Sequence, residues 1–251
     1  MSAPRRPRAP SLQPPLHVTD ALPPAAPDAR PVPAPRRGFL ARVAAGAAAL
    51  AAGASAPRLL GAASQPGAQP GDEWMRTLTG RHRTVFDVAA TRGGRPLAQA
   101  KNYLDAWRDA FRVPEREITL VMGVHGEGIP FVLTDDLWAR YRIGEQYEIA
   151  DAGTKASAAR NVFTAAHVVA GGPVTAEQTV DGLQRRGVRF AVCMNTIAGA
   201  AQKLSAAGLG APAEVRAAIL GGLLPGVVTV PAMVVALTQL QERGLAYTKV
   251  A

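Results

Sequence analysis

The chain has 251 residues, of which 48% are hydrophobic and 19% charged, a composition that excludes a disordered or fibrous protein. Its net charge of +9 is unevenly distributed, because residues 1–64 hold eight of the 28 basic residues and two of the 19 acidic ones. The remaining residues carry a net charge of +3, which gives no electrostatic reason to expect a nucleic-acid partner.

The amino-terminal segment has the pattern of an export signal. Residues 1–35 are rich in proline, alanine and arginine without an apolar period, which predicts disorder. The pair Arg36-Arg37 then precedes a mildly apolar run over residues 41–56, the pattern of a twin-arginine signal peptide. The alternative is a membrane anchor, but the run is shorter than the roughly 20 residues that span a bilayer. Cleavage after Ala63 would then yield a periplasmic protein without stable membrane insertion.

After the leader of residues 1–63, we predict a linker over residues 64–82 and one α/β domain over residues 83–251. Strand and helix patterns alternate through this domain, which implies parallel crossovers and a three-layer α/β sandwich with a mainly parallel sheet. The order of the strands in the sheet stays open. The predicted elements are a strand at 83–89, a helix at 97–112, a strand at 117–125, short helical pieces at 129–133 and 135–143, a long loop at 151–173, a helix at 175–186, a strand at 188–194, a helix from Asn195 or Thr196 to 207, a helix at 213–221, a strand at 226–230, a helix at 231–243 and a strand at 245–250.

The single cysteine, Cys193, is the strongest candidate for chemistry and excludes an intramolecular disulfide. It lies at the carboxyl end of a predicted strand, where sites form in parallel sheets, and a helix begins shortly after it. The positive end of that helix favours a thiolate, the form that nucleophilic or sulfur-carrying chemistry requires. The alternative is a buried cysteine that serves as a small apolar side chain.

His125 and Asp87 also follow predicted strands and are expected at the same edge of the sheet. His125 precedes Gly-Glu-Gly, where the glycines around Glu127 permit a tight turn and close approach of a ligand. His125 is interpreted as a general acid or base, or as a partner that tunes Cys193. A hydrogen-bonded histidine of the turn is the alternative. We assign Asp87 and Glu127 to ligand binding.

The predicted loop at 151–173 contributes a second set of polar candidates. Arg160, Asn161 and Lys155 could bind an anion there, with a solvated loop as the alternative. His167 could join His125 and Cys193 in a metal site, but the spacing typical of metal ligands is missing and no metal is predicted. No phosphate-binding loop, dinucleotide fingerprint or nucleophile elbow occurs, so no cofactor is predicted and NTPase, dehydrogenase and α/β-hydrolase functions are not supported.

Four segments, taken in order, resemble DsrE/DsrF-like proteins over about residues 83–250. They are Thr84–Val88, Leu120–Gly126 (LVMGVHG), Arg186–Thr196 (RGVRFAVCMNT) and Leu240–Lys249 (LQERGLAYTK). The resemblance implies an α/β sandwich that assembles as a trimer or hexamer. It also implies a persulfide-carrying cysteine at Cys193 and a histidine-glycine pair at His125. The export signal and the loop at 151–173 depart from the cytoplasmic sulfur-relay members.

Two functions follow as expectations. The first is a periplasmic protein that binds or relays sulfane sulfur through Cys193, with His125 nearby and a donor or acceptor protein as partner. The second is a non-enzymatic oligomeric module that binds a ligand or partner and keeps Cys193 as a structural residue. The apolar pattern of the helix at 231–243 is consistent with an oligomer or with packing on the sheet.

Overall fold

The computed structural model describes residues 73–250. The predicted leader, with Arg36, Arg37 and the cleavage after Ala63, lies outside the described residues. Within residues 73–250, none of the helices has both the length and the apolar character that crossing a bilayer requires.

The elements alternate between strand and helix as predicted. The strands are β1 (His82–Ala90), β2 (Ile118–Glu127), β3 (Arg189–Cys193), β4 (Val228–Val230) and β5 (Ala246–Val250). The α-helices are α1 (Arg95–Asp109), α2 (Asp135–Arg140), α3 (Ile143–Gln146), α4 (Val180–Arg185), α5 (Met194–Ala206), α6 (Pro212–Gly221) and α7 (Met233–Glu242). Short 3₁₀ turns at Glu73–Thr77, Ile129–Val132, Ala165–His167 and Ala176–Gln178 lie between them.

The five strands form one parallel sheet in the order β4-β3-β2-β1-β5. β2 lies at the centre and is buried from Ile118 to Val124, as its nearly continuous apolar run predicts for a strand covered on both faces. Helices flank the sheet, so the predicted α/β sandwich with a mainly parallel sheet is confirmed.

The two faces of the sheet are covered unequally. Helices α1, α4, α5 and α6 contribute to the larger apolar core on one face, together with the side chains of Met122 and Val192. The other face carries a smaller cluster, in which α7 and the turn at Glu73–Thr77 pack on Val121 and Ala191. Because residues of a strand alternate between faces, Cys193 belongs to this thinner layer, two positions beyond Ala191.

The linker and the helix at 175–186 are among the predicted segments whose boundaries differ from the structure. The predicted linker is structured from residue 73, because Met75 and Leu78 bury their side chains in the thinner layer. The predicted helix at 175–186 is divided: a 3₁₀ turn with a Thr175–Gln178 capping box precedes α4. Thr179 is extended there, and its hydroxyl accepts the Gly182 N–H to cap α4 anew.

Candidate functional site

The carboxyl ends of β1, β2 and β3 bring Asp87, His125 and Cys193 to one face of the sheet. Gly123 of β2 aligns with Asp87 on β1 and with Ala191 on β3. His125 and Cys193 each lie two positions further along, so the register places them side by side on the face that Asp87 shares. Both line one cavity of about 490 Å³. The three residues that the sequence placed at this edge of the sheet are therefore brought together.

The sulfur of Cys193 lies between the amino ends of two helices. Cys193 is the N-cap residue of α5, although its side chain makes no capping bond to that helix. Its Sγ instead accepts the backbone N–H of Met233, the first residue of α7, at 3.3 Å. The first-turn N–H groups of a helix lack partners within it and carry partial positive charge. This environment suits a sulfur atom that bears negative charge.

The start of α5 differs from the sequence prediction, which placed the cap at Asn195 or Thr196. Cys193 is the N-cap instead, two residues before Asn195, so the side chains of Asn195 and Thr196 lie in the first turn of the helix and line the cavity. The Thr196 hydroxyl accepts the backbone N–H of Gly126 at 3.0 Å, which ties α5 to the turn after β2. The polar rim of the cavity is held in place by this bond.

A glycine in β2 allows α7 to approach the sheet beside Cys193. A Cβ on Gly123 would come within 2.9 Å of the Met233 Sδ atom, closer than van der Waals contact permits. The missing side chain therefore leaves room for Met233 to pack on β2. This packing sets the position of the Met233 N–H that reaches Cys193.

His125 is held by a carboxylate rather than left free in the turn. Its Nε2 atom lies 2.6 Å from Asp87 Oδ1, and the Tyr247 hydroxyl donates to Asp87 Oδ2 at 2.7 Å. A carboxylate only accepts hydrogen bonds, so Nε2 is the ring nitrogen that donates to Asp87, and Nδ1 takes no part in this bond. Asp87 was predicted to bind a ligand, and in the structure its two carboxylate oxygens contact His125 and Tyr247. Its hydrogen bond also raises the pKa of Tyr247 above the ordinary value of 10.0.

Charged groups occupy the mouth of the cavity. Lys203 Nζ lies 3.1 Å from Glu127 Oε2 and 3.9 Å from the centroid of the Tyr147 ring. All three residues line the cavity. Burial, together with the charge of Glu127, raises the pKa of Tyr147 far above its ordinary value, so its phenol stays neutral. Glu127, predicted to bind a ligand, therefore reaches the cavity, but it does so as one half of an ion pair.

The other predicted binding residues lie away from this cavity. The Asn161 side chain has no exposed surface, and its amide nitrogen donates to the carbonyls of Pro130, Phe131 and Leu133. Asn161 therefore anchors the loop at 151–173 to the core, which corrects its assignment to ligand binding. Arg160 is exposed and lines a separate depression of the same loop.

His167 lies in the same loop and also does not reach Cys193. Its Nε2 atom is 2.6 Å from Asp135 Oδ2, and the other oxygen of Asp135 accepts the Asn161 N–H. The interaction joins the loop to the start of α2. Among residues 73–250, no group of three or more His, Cys, Asp and Glu side chains is arranged to hold a metal ion.

Four residues of the site were missed from the sequence: Tyr147, Lys203, Met233 and Tyr247. Met233 and Tyr247 act through the placement of α7 and β5, and the strand order that puts β5 beside β1 was not predicted. Lys203 could have been identified from the sequence, because it follows Thr196 and Gly199 at helical spacing and so lies on the same face of α5.

Comparison with known protein families finds no matching family, and comparison with curated proteins finds no match. A comparison with solved structures finds similarity to a protein of unknown function, MTH1491, from Methanobacterium thermoautotrophicum. The two chains are 18% identical, the match covers 67% of this chain and 98% of that one, and the TM-score is 0.37.

Proposed function

We propose that this domain is a DsrE-like protein in which Cys193 accepts a sulfane sulfur atom and passes it to an acceptor thiol. One observation carries the proposal: the Cys193 sulfur lies between the amino ends of α5 and α7, at the wall of a cavity. Backbone N–H groups at these ends stabilise a thiolate and also the negative charge of a bound persulfide. The resemblance around Cys193 and His125 in the sequence supports the same function.

In the transfer step, the Cys193 thiolate attacks the terminal sulfur of a donor R–S–SH. A bond forms between Sγ and that sulfur, the sulfur–sulfur bond of the donor breaks, and its electron pair leaves with R–S⁻. The products are Cys193–S–SH and R–S⁻, so charge and electrons balance without an external oxidant or reductant. Delivery to an acceptor thiolate is the same exchange in reverse.

His125 supplies the proton movements that this exchange requires. With Nε2–H bonded to Asp87, Nδ1 is the ring atom that takes the Cys193 thiol proton before attack and returns a proton to the leaving thiolate. Asp87 fixes the tautomer and the ring orientation, as carboxylates do for catalytic histidines. Tyr247 holds the second carboxylate oxygen and so acts as a positioning residue.

The test is the intact mass of the native protein after exposure to inorganic polysulfide. Wild-type protein is expected to gain one sulfur atom, which a reducing thiol removes, and Cys193→Ser is expected to gain none. His125→Gln is expected to load more slowly. The absence of any adduct on wild-type protein with polysulfide and with organic persulfides would contradict the proposal.

A second candidate function has its own observation. The Cys193 side chain is 4% exposed and packs with Ala191, Val230 and Met233 in the thinner layer. A cysteine with a purely structural role in a non-enzymatic binding module would make the same contacts. In that case the Cys193→Ala variant retains partner binding, and the native thiol does not react.

We further propose that the domain forms a homo-oligomer, a trimer or hexamer, through its thinner layer. Val234 and Val235 of α7 are 74% and 50% exposed, and Tyr247 of β5 is exposed on the same face. Exposed apolar side chains grouped on one face are typical of subunit interfaces. Light scattering should give a mass of several chains for wild type and a smaller mass for Val234→Glu.

The route of export is proposed from the sequence. The twin-arginine pattern at Arg36 and Arg37 supports a periplasmic location for the folded domain. Replacement of both arginines by lysine is expected to retain the protein in the cytoplasmic fraction. Periplasmic recovery of the double variant at the wild-type level would contradict this route.

A further inference from the structure

The ion pair at the cavity mouth is placed to recognise a ligand. Lys203 and Glu127 line the same cavity as Cys193, and their side chains are 37% and 62% exposed. An accessible pair of this kind contributes little to stability, so its charges can be shared with a ligand at small cost. The Tyr147 ring at 3.9 Å holds the ammonium at the cavity by a cation–π contact.

The shape of the cavity indicates the size of its ligand. Its volume of about 490 Å³ lies in the range of small-molecule sites, of roughly 300–1,000 Å³. Apolar groups from Ala200, Ala232, Met233 and Val234 form part of the wall, and Gly199 leaves its part of the wall without a side chain. The site therefore suits a small organic molecule with an apolar body, and it is larger than an inorganic polysulfide requires.

From these features we infer that the donor is a low-molecular-weight persulfide with an α-amino-acid head group. Its carboxylate binds Lys203 and its ammonium binds Glu127, so that the head group meets both charges of the 3.1 Å ion pair. The persulfide then extends along the apolar wall toward Cys193. This inference rests on the proposed sulfur transfer at Cys193, which it deepens by naming the class of donor.

Four donors separate the contributions of the two charges. Cysteine persulfide carries both charges, N-acetylcysteine persulfide carries the carboxylate alone, cysteamine persulfide carries the ammonium alone, and inorganic polysulfide carries neither group. The initial rate of loading onto wild-type Cys193 is expected to be highest for cysteine persulfide at concentrations below saturation. Its advantage over each singly charged donor should be about tenfold or more, since each charge-assisted bond contributes appreciably to affinity.

The variants assign each charge to a residue. Lys203→Met removes the partner of the donor carboxylate, so cysteine persulfide should no longer load faster than cysteamine persulfide. Glu127→Gln removes the charged partner of the donor ammonium, so cysteine persulfide should no longer load faster than N-acetylcysteine persulfide. Each rate is divided by the rate at which the same variant is loaded by inorganic polysulfide, so that a general effect of the substitution on Cys193 cancels. The control is Lys155→Met, which removes an exposed ammonium from the loop at 151–173 and should change none of the rates.

A binding measurement with an unreactive probe distinguishes failure of this inference from failure of sulfur transfer. Calorimetry of Cys193→Ser with S-methylcysteine is expected to show binding that Lys203→Met weakens about tenfold or more. Equal loading of wild-type protein by all four donors, without S-methylcysteine binding, would overturn the inference and leave sulfur transfer intact. Binding of S-methylcysteine without loading by any donor would overturn sulfur transfer and retain the ligand class.

Discussion

A leucine at Gly199 should close the cavity without disturbing the fold. A Cβ at this position would meet no heavy atom within 4 Å, although the residue lines the cavity and lies within α5. Side chains on a helix lean toward its amino terminus, so the leucine would extend toward the end of α5 that holds Cys193. Replacing a helical glycine should also stabilise the helix, by about 0.5–1 kcal/mol. The melting temperature should therefore stay constant or rise by roughly 1–4 °C.

The assay for Gly199→Leu is the rate of sulfur loading onto Cys193, followed by intact mass. We expect a decrease of about tenfold or more, equivalent to at least ~1.4 kcal/mol in activation free energy. Gly221→Leu is the matched control, because Gly221 ends α6 with equally open surroundings outside the cavity. If the folded Gly199→Leu protein loads sulfur at the wild-type rate, the cavity is not the route to the Cys193 sulfur.

Three further predictions test the surroundings of the site and the fold. Asp87→Asn should slow loading of Cys193 and lower the pKa of Tyr247 toward 10.0, because it removes the carboxylate charge and weakens the hydrogen bond that raise it. Tyrosinate absorbance against pH, with Tyr247→Phe as reference, measures this. The pKa of Tyr247 is higher in the folded protein than in the unfolded chain, so the Tyr247–Asp87 bond should stabilise wild type fully at pH values below the unfolded pKa. This stabilisation should be lost as pH rises through the folded pKa. A stability difference between wild type and Asp87→Asn that does not change with pH would contradict this. Arg186→Ala should destabilise by about 2 kcal/mol in urea unfolding, because the partly buried carboxylates of Asp105 and Glu115 lose the bonds of its guanidinium and keep only Lys101 and Arg108, whereas loss of the more exposed Arg185 pair should cost about 0–1 kcal/mol. Asn161→Ala should cost about 3 kcal/mol, because the buried carbonyls of Phe131 and Leu133 lose the Asn161 amide donor, and a cost near zero would show that the loop is not anchored there.

Much of the fold could be predicted because local patterns and global packing agree. The apolar run of β2 indicates a strand covered on both faces, and the position of Pro96 near the start of α1 agrees with the predicted helix. The strand order could not be predicted, because it depends on where each crossover returns to the sheet. The strand at 245–250 was predicted, but its place beside β1 was not, so Tyr247 was not assigned to the site.

The candidate site was predicted only where a residue directly follows a strand. Asp87, His125 and Cys193 share one edge because strands of a parallel sheet all end on the same side. The bond between Asp87 and His125 was not predicted, because it joins residues 38 positions apart and leaves no local pattern. Asn161 was misassigned because a polar residue in a long loop has the same pattern whether it binds a ligand or caps buried carbonyls.

The unequal layers of the sheet explain why Cys193 combines burial with a place on the cavity wall. In the described part of the chain, helices α1 to α6 contribute to the larger core, whereas the thinner layer has α7 and one 3₁₀ turn. The amino ends of α5 and α7 both line the cavity, which lies beside Cys193. Although little of Cys193 is exposed, a reactant that approaches through the cavity can therefore reach its sulfur.

The rate at which iodoacetamide alkylates Cys193 in the native protein tests the central claim most directly. If the sulfur is ionised and reachable from the cavity, native Cys193 is modified in a single phase, and Gly199→Leu slows that phase while the protein stays folded. If alkylation of wild-type protein instead waits for global unfolding, and its rate follows the denaturant dependence of unfolding, then Cys193 is a structural residue and the sulfur-transfer account is wrong.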